Sequence, residues 1–344
     1  MSDRFLLAPQ GALLFLTQAL KSSGAIPEMA ETVATGLWET SLRGTDSHGV
    51  RLLPHYIRGL HGGRISPRPS MVFNRRSPTA GHLDADHAFG HFAGKRAMAE
   101  AIAMAQDSGV GLVSVSRSSH CGAMAYFALD AATHDMIGIA MTHATPKMRS
   151  PQSIRPFFGT NPICVTAPMD GEGPLCFDSA PTPFSNNKVK QYKEDGQELP
   201  VGVAADSEGR PTTNPSEAKM LLPIGDYKGF GMAIVVDMFC AMLSGMAAGD
   251  KVSVMYGNSY SERRNLGQFF GAIRIDQFED PAVFRQRMQS MAEAVRSEPE
   301  REAGTPNMVP GDPEKAFRRR RIREGIPVTT LDLDAFREIA TTSG

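Results

Sequence analysis

An Ala- and Met-rich helical stretch over residues 91–107 runs through Gly109 and Gly111 directly into an apolar run, Leu112 to Val115. Glycine closes a helix readily because it tolerates a left-handed backbone, and the short apolar run beyond it reads as a buried strand. The pattern then repeats: an Ala-rich helix over 122–134 precedes a strand over 137–143, and another strand spans 163–167. Such alternation builds mixed α/β folds, in which helices cover the faces of a sheet. Upstream, residues 8–42 read as helical from apolar positions three and four apart; Pro67 and Pro69 break the chain, and 71–83 is irregular or strand. Downstream, 184–215 is polar and loop-like. An apolar helix from Phe230 to Leu243 should be buried on nearly all sides, and further helices are expected over 281–298 and 331–340.

A chain of 344 residues suggests two domains and is ample for a large core. The formal net charge of -1 gives no electrostatic case for nucleic acid or an anionic membrane surface. The one basic block, Arg318 to Arg321, lies in a charge-mixed helical stretch and reads as a solvated face. Cys121, Cys164, Cys176 and Cys240 form no CxxC pair and have no histidine cluster beside them. They read as reduced core thiols of a cytoplasmic protein, with no metal site. The N-terminal stretch reads as an amphipathic first helix instead of a signal peptide, and no run is long enough for a membrane helix.

Glycine placement excludes the usual dinucleotide fingerprint. Gly109-Val110-Gly111 lacks a third glycine and ends a helix where a GxGxxG would start one. Four other stretches carry polar groups suited to chemistry. In Gly44-Thr45-Asp46-Ser47-His48-Gly49 a serine adjoins a histidine between glycines. Imidazole is the natural acid/base near neutral pH, although a helix cap followed by a turn would look the same. In Ser118-Ser119-His120-Cys121-Gly122-Ala123 a histidine sits between a buried strand and a helix N-terminus, where free N–H groups attract phosphate or carboxylate. Cys121 as a nucleophile would need a partner stabilising its thiolate. Gly159-Thr160-Asn161-Pro162 is a turn into a strand, with Asn161 expected to be extended before proline. Lys228, in Tyr227-Lys228-Gly229-Phe230-Gly231, is either a solvated cap or an anion holder.

In this order and spacing, the four stretches resemble the malate/L-lactate dehydrogenase family that lacks a Rossmann fold, which includes ureidoglycolate, sulfolactate and malate dehydrogenases and Δ1-piperideine-2-carboxylate reductases. The resemblance runs from Asp46-Ser47-His48-Gly49 to Val309-Pro310-Gly311-Asp312. It implies an α/β fold of the non-Rossmann type, with a mainly helical domain from both termini (1–74 and 281–344) and a central, sheet-containing, cofactor-binding domain (75–280). It also implies a homodimer that moves a hydride between a nicotinamide cofactor and a small 2-keto/2-hydroxy acid. The alternative it leaves open is an NADPH-dependent reductase of cyclic imino acids.

By the same resemblance His120 is the acid/base, and Ser47 and His48 match the proton-donating pair of the imine-reducing branch. His120, Cys121, Gly122, Ala123 and Met124 match cofactor contacts, as do Ala144, Asp178, Ser179 and Ala180. Lys228, Gly229, Gly311, Asp312 and Pro313 complete that set, and Thr160 matches a position near nicotinamide and substrate. The chain departs from the family pattern at three places. Leu52 stands where relatives carry an arginine suited to a substrate carboxylate, and Arg51 lies one residue earlier, about 100° away on a helix. His55, Tyr56 and Lys147 are further candidates for that carboxylate. Lys188 stands where imine reductases place an aspartate, which favours the hydroxy-acid enzyme. Pro181 removes an N–H donor from the stretch after Asp178. Asp312 and Glu314 near the expected adenine ribose lean toward NAD, while Lys315 and Arg318 leave NADP open.

Overall fold

The computed structural model describes residues 4–256 and 259–342. Strand β1 (Arg4–Leu7) is followed by helices α1 (Pro9–Ser22), α2 (Pro27–Leu42) and α3 (Leu53–His61). Proline opens α1 and α2 within their first two positions, where its missing N–H goes unused. The stretch read as helical over 8–42 forms two helices, divided where Gly24 takes a left-handed φ of 97°.

The central part contains β2 (Val72–Arg75), β3 (Ala80–Asp84), α4 (Gly90–Ser108), β4 (Val110–Ser118), α5 (Ala125–Ala132) and β5 (Met136–Thr142). Short strands β6 (Met148–Arg149) and β7 (Pro156–Phe158) lead to the pair β8 (Ile163–Ala167) and β9 (Leu175–Ser179). Then come α6 (Asn186–Glu194), β10 (Ala204–Ala205), β11 (Pro211–Thr212), β12 (Met220–Leu221), α7 (Tyr227–Asp237) and β13 (Leu266–Arg274). Helices α8 (Pro281–Ser297) and α9 (Asp312–Glu324), strand β14 (Ile326–Thr329) and helix α10 (Thr330–Thr342) end the described chain.

Seven strands form the main sheet in the order β2-β3-β4-β13-β5-β8-β9. Only β3 and β4 run parallel; every other neighbouring pair is antiparallel. This is not the parallel, doubly wound sheet that a GxGxxG serves. Helices α4 and α5 cover one face through Ala97, Met98, Ala101 and Phe127, packed with Phe270 of β13. Phe127 and Phe270 are fully buried, each stabilising the fold by about 2–3 kcal/mol. Gly111 admits α4 to close range, since a Cβ there would lie 1.9 Å from the Ala101 carbonyl oxygen. The opposite face carries α7 through Val236, and the π-helical turn that continues it (Met238–Met242) through Cys240, against Met141 and Phe269. A smaller sheet, β11-β10-β12-β6-β7, packs Met148, Phe158 and Leu221 with Val189 of α6. The chain ends meet where β1 pairs antiparallel with β14.

Several expectations need correction. Strand β4 extends well beyond Leu112–Val115 because its polar Ser114 and Ser116 both hydrogen-bond His82 of β3, each at 2.9 Å. The 122–134 helix begins only at Ala125, because Gly122 holds a φ of 71°. Within the polar 184–215 segment, Ser185 caps α6 by accepting from the Lys188 N–H, and Val189 alone of that helix is buried. The helix from Phe230 is not enclosed: Ile234, Val235, Met238, Met242 and Leu243 are 45–64% exposed, since only one side meets the sheet. Asn161 is not extended; its φ is 23° and its side chain takes over local bonding, as described below. Nor is the basic block a uniformly solvated face, because Arg321 is buried against Asp46. Among the described residues no helix is long and apolar enough to cross a membrane.

Candidate active site

His120 stands just beyond the end of β4, in the turn toward α5. Its Nδ1 lies 2.7 Å from the hydroxyl of Tyr56, carried by α3. Ser47 and His48 occupy a single 3-10 turn, Asp46–His48, with Ser47 Oγ 2.8 Å from His48 Nδ1. The His48 and His120 rings lie nearly parallel, 5.6 Å between centroids. Thus Ser47, His48, Tyr56 and His120, distant in sequence, form one cluster. That turn is held from below: Arg321 of α9 pairs with both carboxylate oxygens of Asp46 and donates to the Ser41 carbonyl.

Electrostatics at the cluster favour neutral imidazoles. Burial lowers His48 to about 4. His120 is lowered well below its usual value, first by burial and then by His48, His91, Arg264 and His55. Tyr56, whose own ionisation burial opposes, can accept or donate at His120 Nδ1, so it supports either tautomer of the ring.

The cluster opens into a cavity of about 400 Å³ lined by Ser47, His48, Leu52, His120, Lys147, Thr160 and Arg264, among others. A second cavity of about 460 Å³ shares His48, Gly122, Thr160 and Ser185 with the first and continues past Ala123, Met124, Asp178, Ala180 and Glu314. Together they make one long cleft of the size that small-molecule and cofactor sites occupy. The joint between them is built from glycine: a Cβ on Gly122 would approach His91 Nε2 to 2.6 Å. Beside it Asp178 Oδ2 accepts from the Ala125 N–H at 2.8 Å, and burial raises that carboxyl to about 6.

The remaining candidates fall in different places. Cys121 lines the first cavity, but burial pushes its thiol up to about 12, the reverse of what a nucleophile needs. Ala144 lines that same cavity, its N–H held by Asn161 Oδ1 at 3.1 Å. Ser179 turns its hydroxyl to the Ala180 carbonyl. Lys228 and Gly229, at the start of α7, are absent from the described walls of both cavities; Gly229 packs against Ile224 and Pro181. Gly311, Asp312 and Pro313 are likewise outside those walls, with Asp312 ion-paired to Arg296 and Gly311 against Cys176.

Arg51 donates to Asp332 at 3.1 Å in an adjoining cavity, while Leu52 faces the one holding His120. His55 hydrogen-bonds the Tyr260 hydroxyl and is lowered to about 3 by burial and nearby arginines. Lys188 lies over the Phe184 ring, and Asn187 donates to the Ser47 carbonyl, so no carboxylate from α6 completes a relay to His48. Among the described residues no group of three or more acidic, cysteine or histidine side chains is arranged to hold a metal.

Two features were not read from sequence. One is Arg264, buried in the cavity wall just before β13. The other is a polar network behind Ala144. His143 Nδ1 lies 3.2 Å from Asp237 Oδ1, and His143 Nε2 accepts from the Gly267 N–H at 2.8 Å. Asn161 donates to the Ala233 carbonyl at 3.1 Å, which explains its unusual backbone. No local motif marks either feature, because each depends on strands joined across the sheet.

A model of the malate/L-lactate dehydrogenase family matches residues 8–336. The malate dehydrogenase of Pyrococcus abyssi (strain GE5 / Orsay) is 32% identical over 355 residues, spanning 100% of this chain and 97% of that protein. The NAD(+) ureidoglycolate dehydrogenase of Escherichia coli O157:H7 is 34% identical over 275 residues, 80% of this chain and 78% of that protein. The crystal structure of malate dehydrogenase from Entamoeba histolytica superposes with a TM-score of 0.94 at 25% identity, covering 99% of this chain and 98% of that one.

Proposed function

The chain belongs to the malate/L-lactate dehydrogenase family, and from that premise we propose that it interconverts a small 2-hydroxy acid and its 2-keto acid, with His120 as the acid/base. The observation that carries this reading is a neutral, desolvated imidazole set between a tyrosine hydroxyl and a second histidine in the wall of a long cleft. A nicotinamide dinucleotide bound in that cleft supplies or takes up the hydride. Gly122, Ala123 and Met124 would lie along it, with Asp178 and Ala180 further out.

The protein's own groups handle the proton. In the oxidising direction His120 must be neutral, with Nδ1–H donated to Tyr56 and the other ring nitrogen free to take the hydroxyl proton. In the reducing direction the imidazolium returns that proton to the keto oxygen. Tyr56, considered above as a substrate ligand, acts here through His120 by fixing the ring. Ser47 holds His48 in place beside it, and Thr160 borders both the cofactor and the substrate ends of the cleft.

For the cofactor we read NAD. The two cations that the sequence left open for a ribose 2′-phosphate are occupied: Lys315 binds Glu172 at 2.8 Å and Arg318 binds Glu39 through two contacts of 2.9 Å. Asp312 is engaged by Arg296, and Glu314 lines the cleft wall at that end beside the Arg318–Glu39 pair. The test is nicotinamide absorbance during reduction of a panel of straight-chain 2-oxo acids. Turnover with at least one acid, faster with NADH than NADPH, is expected. Failure of every acid with both cofactors overturns the proposal, and faster NADPH turnover overturns its cofactor assignment.

A further inference from the structure

Arg264 is 5% exposed and sits in the wall of the cavity that holds His48 and His120. Every partner it has is neutral. Its Nε donates to Ser253 Oγ at 2.9 Å, and Nη2 donates to Thr145 Oγ1 at 3.1 Å and to the Ser253 carbonyl at 3.0 Å. Nη1 is buried and has no hydrogen-bond partner among the described residues. None of the ion pairs among those residues involves Arg264, and none of the described residues lining its cavity is an aspartate or glutamate.

A buried guanidinium with no counter-charge is unfavourable, and proteins retain one where something else brings the anion. The surroundings act on the charge as expected, lowering the group to about 10 through burial and Arg64, which still leaves it a cation at neutral pH. Its hydrogen bonds to Thr145 and Ser253 fix the plane of the guanidinium without neutralising it. The result is a fixed guanidinium in the cavity wall with no carboxylate partner among the described residues.

We propose that Arg264 anchors the carboxylate of the 2-oxo acid, the part taken in relatives by the arginine that Leu52 replaces here. The proposal rests on the function proposed above. The rival cations are placed elsewhere: Arg51 is paired with Asp332, and His55 faces Tyr260. Lys147, Lys190 and Lys219 also line the cavity, but Lys147 is only partly buried, the other two are exposed, and each offers a single ammonium without a planar fork. Placing the carboxylate on Arg264 also couples binding to chemistry. His120 is depressed first by burial and then by its neighbours, among them the Arg264 charge, while Tyr56 adds a neutral contact. Neutralising that charge raises the imidazole's affinity for the proton it must give to the keto oxygen.

The test compares Arg264→Lys and Arg264→Met with the parent. Both should retain NADH binding, and both should raise KM for the 2-oxo acid by at least about tenfold. The parent should prefer a 2-oxo acid to its uncharged carboxamide, and Arg264→Met should lose most of that preference. Removing the cation should also move the acidic limb of the oxidation rate to higher pH. Calorimetry with oxamate on the NADH-bound protein supplies a readout independent of turnover, and oxamate binding should weaken at least about tenfold in both variants. Unchanged oxamate affinity in both variants overturns the assignment to Arg264, and loss of affinity in Lys147→Met alone moves it to Lys147. A parent that binds oxamate through Arg264 but reduces no 2-oxo acid overturns the proposed function and leaves the anion site standing.

Discussion

Replacing His120 with alanine lowers turnover by about a thousandfold, within the range that general acid–base groups contribute, while NADH still binds. The argument is geometric first. His120 is the imidazole that joins the Tyr56 hydroxyl, the His48 ring and the cavity wall. Its low proton affinity follows from burial and from four neighbours that are cationic or become so. Such a ring accepts a proton well only when the transition state makes one available, which suits an alcohol losing hydride. His48, also desolvated, is hydrogen-bonded to Ser47, whereas it is His120 that contacts the Tyr56 hydroxyl. Stopped-flow and steady-state rates of His120→Ala, with NADH fluorescence titration as the folding control, decide the matter. Turnover within a few-fold of the parent would remove His120 from the chemistry.

Arg321→Met destabilises the protein by about 3 kcal/mol and also slows turnover, because it strands Asp46 beneath the Ser47-His48 turn. The Arg321 side chain is 8% exposed and Asp46 29%, so their attraction is poorly screened by water. Arg318 and Glu39, one helical turn away, are 42% and 25% exposed, and breaking that pair should change stability by no more than about 1 kcal/mol. Urea titration of Arg321→Met beside Arg318→Met separates the two. Equal, small losses in both variants would mean that the Asp46 turn is held by backbone contacts alone.

Much of the fold was legible because local pattern and final environment agree. The α4 helix ends at a glycine that the structure places left-handed, at φ 83°, and β8 occupies Ile163–Ala167 as its apolar run suggests. What sequence hid were elements whose partners lie far away. β13 was not anticipated, although it is the central strand, because Leu266–Ala272 is buried on both faces and shows no alternation. Helix α6 escaped because Val189 is its one buried residue. At the site, His120, Ser47 and His48 were found from motif order, and their convergence with Tyr56 supplies the geometry that motif order lacks. Arg264 could not be found in this way. Its meaning comes from an empty position in a bonding pattern, visible only once Thr145 and Ser253 are seen around it.

The choice between a keto acid and a cyclic imino acid turns on the neighbourhood of His48. A Ser-His pair extended by a carboxylate would form the relay expected of an imine reductase. Here α6 offers Asn187 to the Ser47 backbone and turns Lys188 onto Phe184. This supports the proposal that the proton is exchanged at His120, with Tyr56 fixing the ring. The most direct measurement is kcat/KM with NADH for oxaloacetate and pyruvate against Δ1-piperideine-2-carboxylate in one assay. Our account predicts that a 2-oxo acid is the better substrate. A higher value for the cyclic imine would contradict it and return the catalytic role to Ser47 and His48.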